Sequence, residues 1–336
     1  LKPQNLDFNL FLAHSLHSYN LAIDFVLNSD NFNPIKPILM KCSVSALFLL
    51  SSFSLLAQNF DTVKIRPQKI TDKIYMLTGS GGNIGLLVGP DGLLMIDDQY
   101  APLSAKITDA IKSISKNNIR YVINTHVHGD HSGGNDNFKK QGATLVAHEQ
   151  VRTRMMTEQF NKRFNSKTPP RDKEAWPSIT FNTNLNFHLN EEDLDIVHLD
   201  KGHTDGDAII HFKRANVFHA GDAFVRYGYP FIDLSSGGTV NGFISTLDKF
   251  LLLLDDNSKI IPGHGALATK ADVKQLRDEL VDIRDQVLAA LKKGTKVEDL
   301  GALGITDKYE AKLGKGFIKG KDFVMIVAES LNASPR

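Results

Sequence analysis

Between Thr125 and Gly134 the chain reads Thr-His-Val-His-Gly-Asp-His-Ser-Gly-Gly, which places three imidazoles and a carboxylate between His126 and His131. The residues just before it, Ile119-Arg120-Tyr121-Val122-Ile123-Asn124, are mostly apolar and predict a buried strand. In an extended chain, side chains two apart share a face, so His126 and His128 can converge on one point. Asp130 and His131 follow where the chain has to turn, and can face a second point a few ångströms away. Gly129, Gly133 and Gly134 allow the backbone to fold tightly around such a centre. Packing alone gives little reason for four ligand-type side chains at this spacing. A fold that accepts this run must end a strand in a polar loop that gathers metal-binding groups.

A metal site needs about four ligands, and one that does chemistry needs an open position as well. Three later places can supply the remainder. His203 stands in Lys201-Gly202-His203-Thr204-Asp205-Gly206, just after the apolar segment 194–199. Asp222 ends Val217-Phe218-His219-Ala220-Gly221-Asp222, and His264 sits in Ile260-Ile261-Pro262-Gly263-His264-Gly265. Each falls where a strand gives way to a loop, the place from which a rigid sheet can aim a functional side chain. Asp205 and Asp207 add carboxylates nearby, for which turn formation is the expected role.

The order HxHxDH, GHT, GD and PGHG resembles the metallo-β-lactamase-fold hydrolases over roughly residues 68–270. The resemblance implies an α/β fold, a four-layer αββα sandwich, with two zinc ions held by loops at one edge. Carried over by position, it assigns His126, His128 and His203 to one zinc and Asp130, His131 and His264 to the other, with Asp222 bridging. It gives Asp97 the task of bracing the metal loop. His128 is retained where diiron flavoproteins of this fold carry a carboxylate, and no cysteine stands among the candidate ligands. Asp205 is a departure, since many members have proline after the GHT triplet.

The N-terminal region reads differently. Met40-Lys41-Cys42 opens a stretch whose apolar part, residues 44–57, precedes polar Gln58-Asn59. A basic start, a short apolar run and a small residue before a polar one make a secretory signal peptide at 40–57. The run is shorter than the ~20 residues that span a bilayer as a helix. Residues 1–39 then read as translated upstream sequence without an ordered fold. Residues 58–336 form the hydrolase domain with C-terminal helices, expected to be periplasmic or secreted and without a stable membrane anchor. The chain's one cysteine, Cys42, lies in the leader, so disulfides have no part in the domain. A formal net charge of +1 gives no basic face for nucleic acid, and the expected partner is a small-molecule substrate. The oligomeric state is left open.

Within the domain, 84–88 and 92–96 predict a hairpin across Gly89-Pro90-Asp91. Leu103, Ile107, Ile111 and Ile114 predict a helix leading into the strand before the metal loop. Val273, Leu276, Leu280, Ile283, Val287 and Leu291 predict a long amphipathic helix, started by a Thr269/Asp272 capping box and ended near Gly294. A last helix is expected near 321–331. Met155, Phe160 and Phe164 suggest a helical stripe packed on the sheet. The run 224–231 suggests pocket walls, with Tyr227 and Tyr229 shaping the substrate and Arg226 anchoring an anion. The histidines at 148, 188, 198, 211 and 219 lack ligand spacing and read as structural or exposed.

The resulting expectation is an exported dizinc hydrolase. Zinc makes hydroxide available near neutral pH, which attacks the carbonyl of an ester, lactone, thioester or amide, with Asp130 the catalytic residue that orients or accepts the proton. Two alternatives stand beside it: a true β-lactamase, and a low-turnover periplasmic metal-binding accessory protein.

Overall fold

A computed structural model describes residues 59–333, and the segments read as upstream sequence and signal peptide lie outside the described residues. Two sheets form the centre. The first has seven strands in the order Arg66–Lys69, Ile74–Thr78, Ile84–Leu87, Leu93–Ile96, Ile119–Ile123, Thr144–His148 and Ile179–Phe181. The first four pair antiparallel, and the rest continue in parallel from Leu93–Ile96. The second sheet runs Asn184–Leu189, Glu192–Val197, Ile209–Phe212, Val217–His219 and Lys259–Ile261, antiparallel except for its last pair.

The period-2 alternation of the strands explains why there are four layers. Ile74, Met76, Leu94 and Ile96 face inward and share a core with Ile196, Ile210, Phe212 and Ile261 of the other sheet. The alternate residues Leu77, Leu93 and Met95 face outward, against Leu103, Ile107 and Ile111 on the helix Ser104–Ile114. Phe218 and Ile260 likewise face outward in the second sheet. They pack under the helices Val240–Leu253, Lys270–Lys292 and Gly320–Ala333, which contribute Phe250, Leu280 and Phe323. Helix, sheet, sheet and helix therefore stack in that order, the αββα sandwich implied by the sequence. No helix among the described residues is long and apolar enough to cross a membrane.

The expected hairpin between 84 and 96 forms. The long helix carries its Thr269/Asp272 capping box and ends before Gly294, whose φ is +87°. The stripe over Met155, Phe160 and Phe164 does not form. The helix Glu149–Met155 stops at Met155, and Gln159–Asn161 pairs with Ser166–Thr168 as a small hairpin. Asn161 Oδ1 accepts from the backbone N–H groups of Arg163 and Phe164, which turns the chain. Met155 is buried, whereas Phe160 and Phe164 are 48% and 55% exposed. The two aromatics therefore project from a hairpin rather than into a core.

Candidate metal centre

Four of the strands that bear on the site end at one edge of the sandwich. Asp97 follows Leu93–Ile96, His126 follows Ile119–Ile123, Asp222 follows Val217–His219, and His264 follows Lys259–Ile261. Carboxyl ends of strands in open α/β sheets are where functional loops collect. The loop glycines are matched to this edge. Gly221 has φ +50°, and a Cβ on Gly263 would overlap the Asp222 carboxylate, so both positions admit only glycine without displacement.

Three overlapping groups of side chains could hold a metal ion: His126, His128 and His203; His126, His131 and Asp222; and Asp130, His131 and His264. Within each, the donor atoms lie inside 4.8 Å of one another. Every residue singled out from the sequence as a ligand is thus brought to this edge. In the first cluster His128 Nδ1 lies 2.9 Å from His203 Nε2. In the second, His131 Nε2 lies 3.2 Å from His264 Nε2, which in turn is 3.2 Å from Asp130 Oδ2. Asp222 stands between them, with Oδ1 3.2 Å from His131 Nε2 and Oδ2 3.7 Å from His203 Nε2.

The far side of each ring decides which nitrogen carries the proton. His203 Nδ1 is 2.6 Å from the carbonyl oxygen of Phe231, which can only accept, so Nδ1 donates and Nε2 keeps its lone pair. His128 Nε2 likewise faces Asp233 Oδ2 at 2.9 Å, leaving Nδ1 bare. Thr125 Oγ1 donates to Asp97 Oδ2 and takes the proton of His126 Nδ1, so that His126 Nε2 is bare as well. That nitrogen is buried and has no hydrogen-bond partner, and the same holds for Asp222 Oδ1. Buried lone pairs aimed at one another call for a cation between them. A zinc ion, with its preference for imidazole and carboxylate ligands, fits this donor set.

Electrostatics prepare the rings. Burial holds the His126 imidazole well below its ordinary pKa, and burial with the neighbouring His128 brings His203 down to about 4, so both rings are neutral at neutral pH. Burial also disfavours charge on His131, but Asp222, Asp130 and Asp97 outweigh it and raise its pKa. Burial pushes Asp130 up, yet His131 and His264 prevail and hold it at about 2, an ionised carboxylate.

Asp97 braces the loop as anticipated. Its Oδ1 accepts from the Thr125 backbone N–H at 2.7 Å, and its Oδ2 accepts from Thr125 Oγ1 at 2.8 Å and His131 Nδ1 at 2.7 Å. It does so from a left-handed backbone conformation, φ +61°, of the strained kind that clusters at functional sites. Asp207 closes the GHT turn, accepting from the backbone N–H groups of His203 and Thr204. Asp205 does something else: it takes a two-pronged ion pair from Arg154, 2.7 Å at each contact.

Two expectations for the 224–231 run are corrected. Arg226 donates to the Leu267 carbonyl and pairs with Asp272, so its charge is occupied by the fold rather than offered to an anion. Tyr229 is fully buried, its hydroxyl directed to Glu310 and the Thr306 carbonyl, and shapes no pocket. Tyr227 does line the cavity over the metal ligands. The histidines outside the motifs serve the scaffold: His148 stacks on His198, His211 on Phe218, and His219 lies buried against the Asn83 carbonyl. His188 pairs with Asp193 at the surface. Sequence reasoning missed Asp233, which no local motif marks because its partner is far away along the chain.

The family model of the metallo-beta-lactamase superfamily matches residues 77–264, from the second strand to the last ligand candidate. The chain belongs to the metallo-beta-lactamase superfamily. Its likeness to individual superfamily members is distant. It is 22% identical over 170 residues to a metallo-beta-lactamase type 2 of Elizabethkingia meningoseptica, a span of 48% of this chain and 63% of that protein. It is 23% identical over 217 residues to the human acyl-coenzyme A thioesterase MBLAC2, covering 58% of this chain and 76% of the relative. A solved metallo-beta-lactamase from Pontibacter korlensis superimposes with a TM-score of 0.55 at 16% identity, over 65% of this chain and all of that one. These likenesses establish the metallo-beta-lactamase fold for the chain.

Proposed function

We propose that this protein is an exported dizinc hydrolase that cleaves a carbonyl ester, lactone, thioester or amide. The observation that carries the reading is the convergence of imidazole and carboxylate donors on two adjacent points with the Asp222 carboxylate between them. His126, His128 and His203 would hold one zinc, and Asp130, His131 and His264 the other. Zinc so held lowers the pKa of water toward neutrality and polarises a carbonyl.

The chain's own groups do the rest. Asp233, the Phe231 carbonyl and Thr125 fix the ring tautomers, so no imidazole has to reorient when substrate arrives. Asp130 is ionised and lines the open cavity, where it can take a proton from an attacking water and pass it to the leaving group. Tyr100, Tyr227 and Phe231 wall the same cavity and limit the water around the reacting carbonyl. A carbonyl is favoured over a phosphodiester because the chain's net charge is only +1, without the excess of cations that phosphate backbones recruit. The thioesterase relative supports a thioester within this class. The β-lactamase relative supports the narrower alternative, although no cysteine stands among the ligand candidates here.

The test is metal analysis followed by turnover of four substrates by one purified sample: a chromogenic cephalosporin, an acyl lactone, a thioester and a phosphodiester. Activity on the lactone or thioester with weak cephalosporin cleavage is expected. Efficient cephalosporin turnover with the others inert would establish a β-lactamase instead. A metal-loaded protein inert to all four would favour an accessory metal-binding role.

A further inference from the structure

The cavity above the metal ligands, about 510 Å³, opens beside a second one of about 330 Å³. The two share His128, Asp130, Phe231 and Phe317 as lining residues, so a single molecule can occupy both. Their walls differ in character. The second cavity is bordered by Phe160 and Phe164 of the small hairpin, with Met155 and Pro169. Phe160, Phe164 and Phe317 are 48%, 55% and 59% exposed, and among the described residues they are the aromatic members of the large exposed hydrophobics. All three line this one cavity. Exposed apolar side chains gathered at one place mark a surface that is covered when a ligand binds.

The rings form a continuous series toward the metal site. Phe164 lies 5.6 Å from Phe231 between centroids, Phe231 lies 6.0 Å from Phe317, and Phe317 lies 5.5 Å from Tyr227. Tyr227 in turn meets the ring of His264 at 5.4 Å.

Cationic side chains are few along this path. Arg154, Arg171 and Lys315 are the cations that line the two cavities. Arg154 is engaged by Asp205. Arg171 is turned inward, donating to the carbonyl oxygens of Ser132 and Val127. Lys315 is exposed, lines the metal-side cavity and has no hydrogen-bond or ion-pair partner among the described residues. It shares the loop 314–319 with Phe317. That loop is pinned beside the site, because the Tyr229 backbone N–H donates to the Leu313 carbonyl and Lys319 Nζ donates to the Gly314 and Gly316 carbonyls. Residues 314–319 also lie beyond the segment matched by the superfamily.

We propose that Lys315 and Phe317 are specificity-determining residues that select a carbonyl substrate carrying an apolar arm and one carboxylate. The arm lies along Phe164, Phe231 and Phe317, the carbonyl sits over the metal ligands, and the carboxylate meets Lys315. Lys315 lines the same cavity as the candidate metal ligands Asp130 and Asp222, and a single unpaired ammonium there matches one carboxylate. The inference rests on the hydrolase reading above, and its test is arranged so that the two can fail separately.

Four chromogenic esters vary the two features independently: the acetyl and octanoyl esters of 4-nitrophenol and of 3-carboxy-4-nitrophenol. The metal-loaded protein should prefer the octanoyl, carboxylated member. Lys315→Ala should raise KM for the carboxylated esters about three- to fivefold, the scale of an exposed ion pair, with kcat and the neutral esters unchanged. Lys315→Arg should restore the preference, Lys315→Glu should reverse it, and high ionic strength should erase it. Phe317→Ala should reduce the octanoyl-over-acetyl preference about tenfold through lost apolar contact. Calorimetric binding of N-octanoylglycine against neutral N-octanoylglycinamide gives a readout that needs no turnover, and the acid should bind more tightly only while Lys315 is present. Discrimination in binding without hydrolysis of any ester would overturn the hydrolase reading and leave this one standing. A carboxylate preference that survives Lys315→Glu would place the anion elsewhere, at the metal, and end the proposal.

Discussion

Asp233 Oδ2 lies 2.9 Å from His128 Nε2, although the two residues are 105 positions apart in the chain. The contact fixes the proton of His128 on the outer nitrogen and turns the inner one toward His203 Nε2. Asp233 also accepts from the Ser235 and Ser236 backbone N–H groups, so the turn that carries it is itself tied down. Burial disfavours its charge, but the His128 contact prevails and holds its pKa at about 2.

Asp233→Asn keeps an acceptor for the turn but removes the charge that supports His128. Metal affinity at the cluster of His126, His128 and His203 should fall about 10- to 100-fold, the usual cost of losing an outer hydrogen-bond partner of a metal-binding histidine. Competition against a chromophoric chelator measures it. Equal affinity in both proteins would show that the contact has no bearing on the metal.

Elemental analysis of protein purified without chelator should find about two zinc ions per chain, since the donors form two sets of three with a shared carboxylate. His126→Ala should release the first, and Asp130→Ala the second together with nearly all turnover. One tightly held iron and no zinc would refute the assignment.

A methyl group at position 263 would overlap the Asp222 carboxylate and press on the Gly221 backbone. Gly263→Ala should therefore destabilise the protein by about 1–3 kcal/mol through overpacking and weaken metal binding with it. Denaturant unfolding with and without chelator separates the two effects. A variant with unchanged midpoint and full metal content would contradict the close approach of these loops.

Material secreted by the native host should begin near Gln58 on N-terminal sequencing, as a signal peptide over 40–57 requires. Finding residues 1–39 on the mature protein would remove the basis for export.

The candidate ligands that converge were legible because each is announced locally, by histidines two apart, by glycines that admit a close approach, or by a strand ending in a turn. The layers were legible for the same reason, since residues such as Met76 and Leu77 alternate between two cores. What could not be read is what depends on distant pairing. Asp233 finds His128 across 105 positions of the chain, and Arg226 is drawn to Leu267 and Asp272 rather than to the cavity. Phe160 and Phe164 sit at spacings that suit a helix. Asn161 and the strand pairing of Gln159 with Thr168 overrule that spacing, and no periodicity reports such a competition.

The division of the ligands between the sheets bears on when the centre can exist. Each candidate metal position takes two donors from loops of the first sheet, His126 with His128 or Asp130 with His131. The third donor, His203 or His264, comes from the second sheet, as does the Asp222 bridge. A nascent chain that has emerged only through residue 148 presents half of every set and can hold an ion only loosely. The first position would be complete once Asp222 has been made and the second only at His264, so a full two-ion centre would require both halves of the protein to have been made and to have come together.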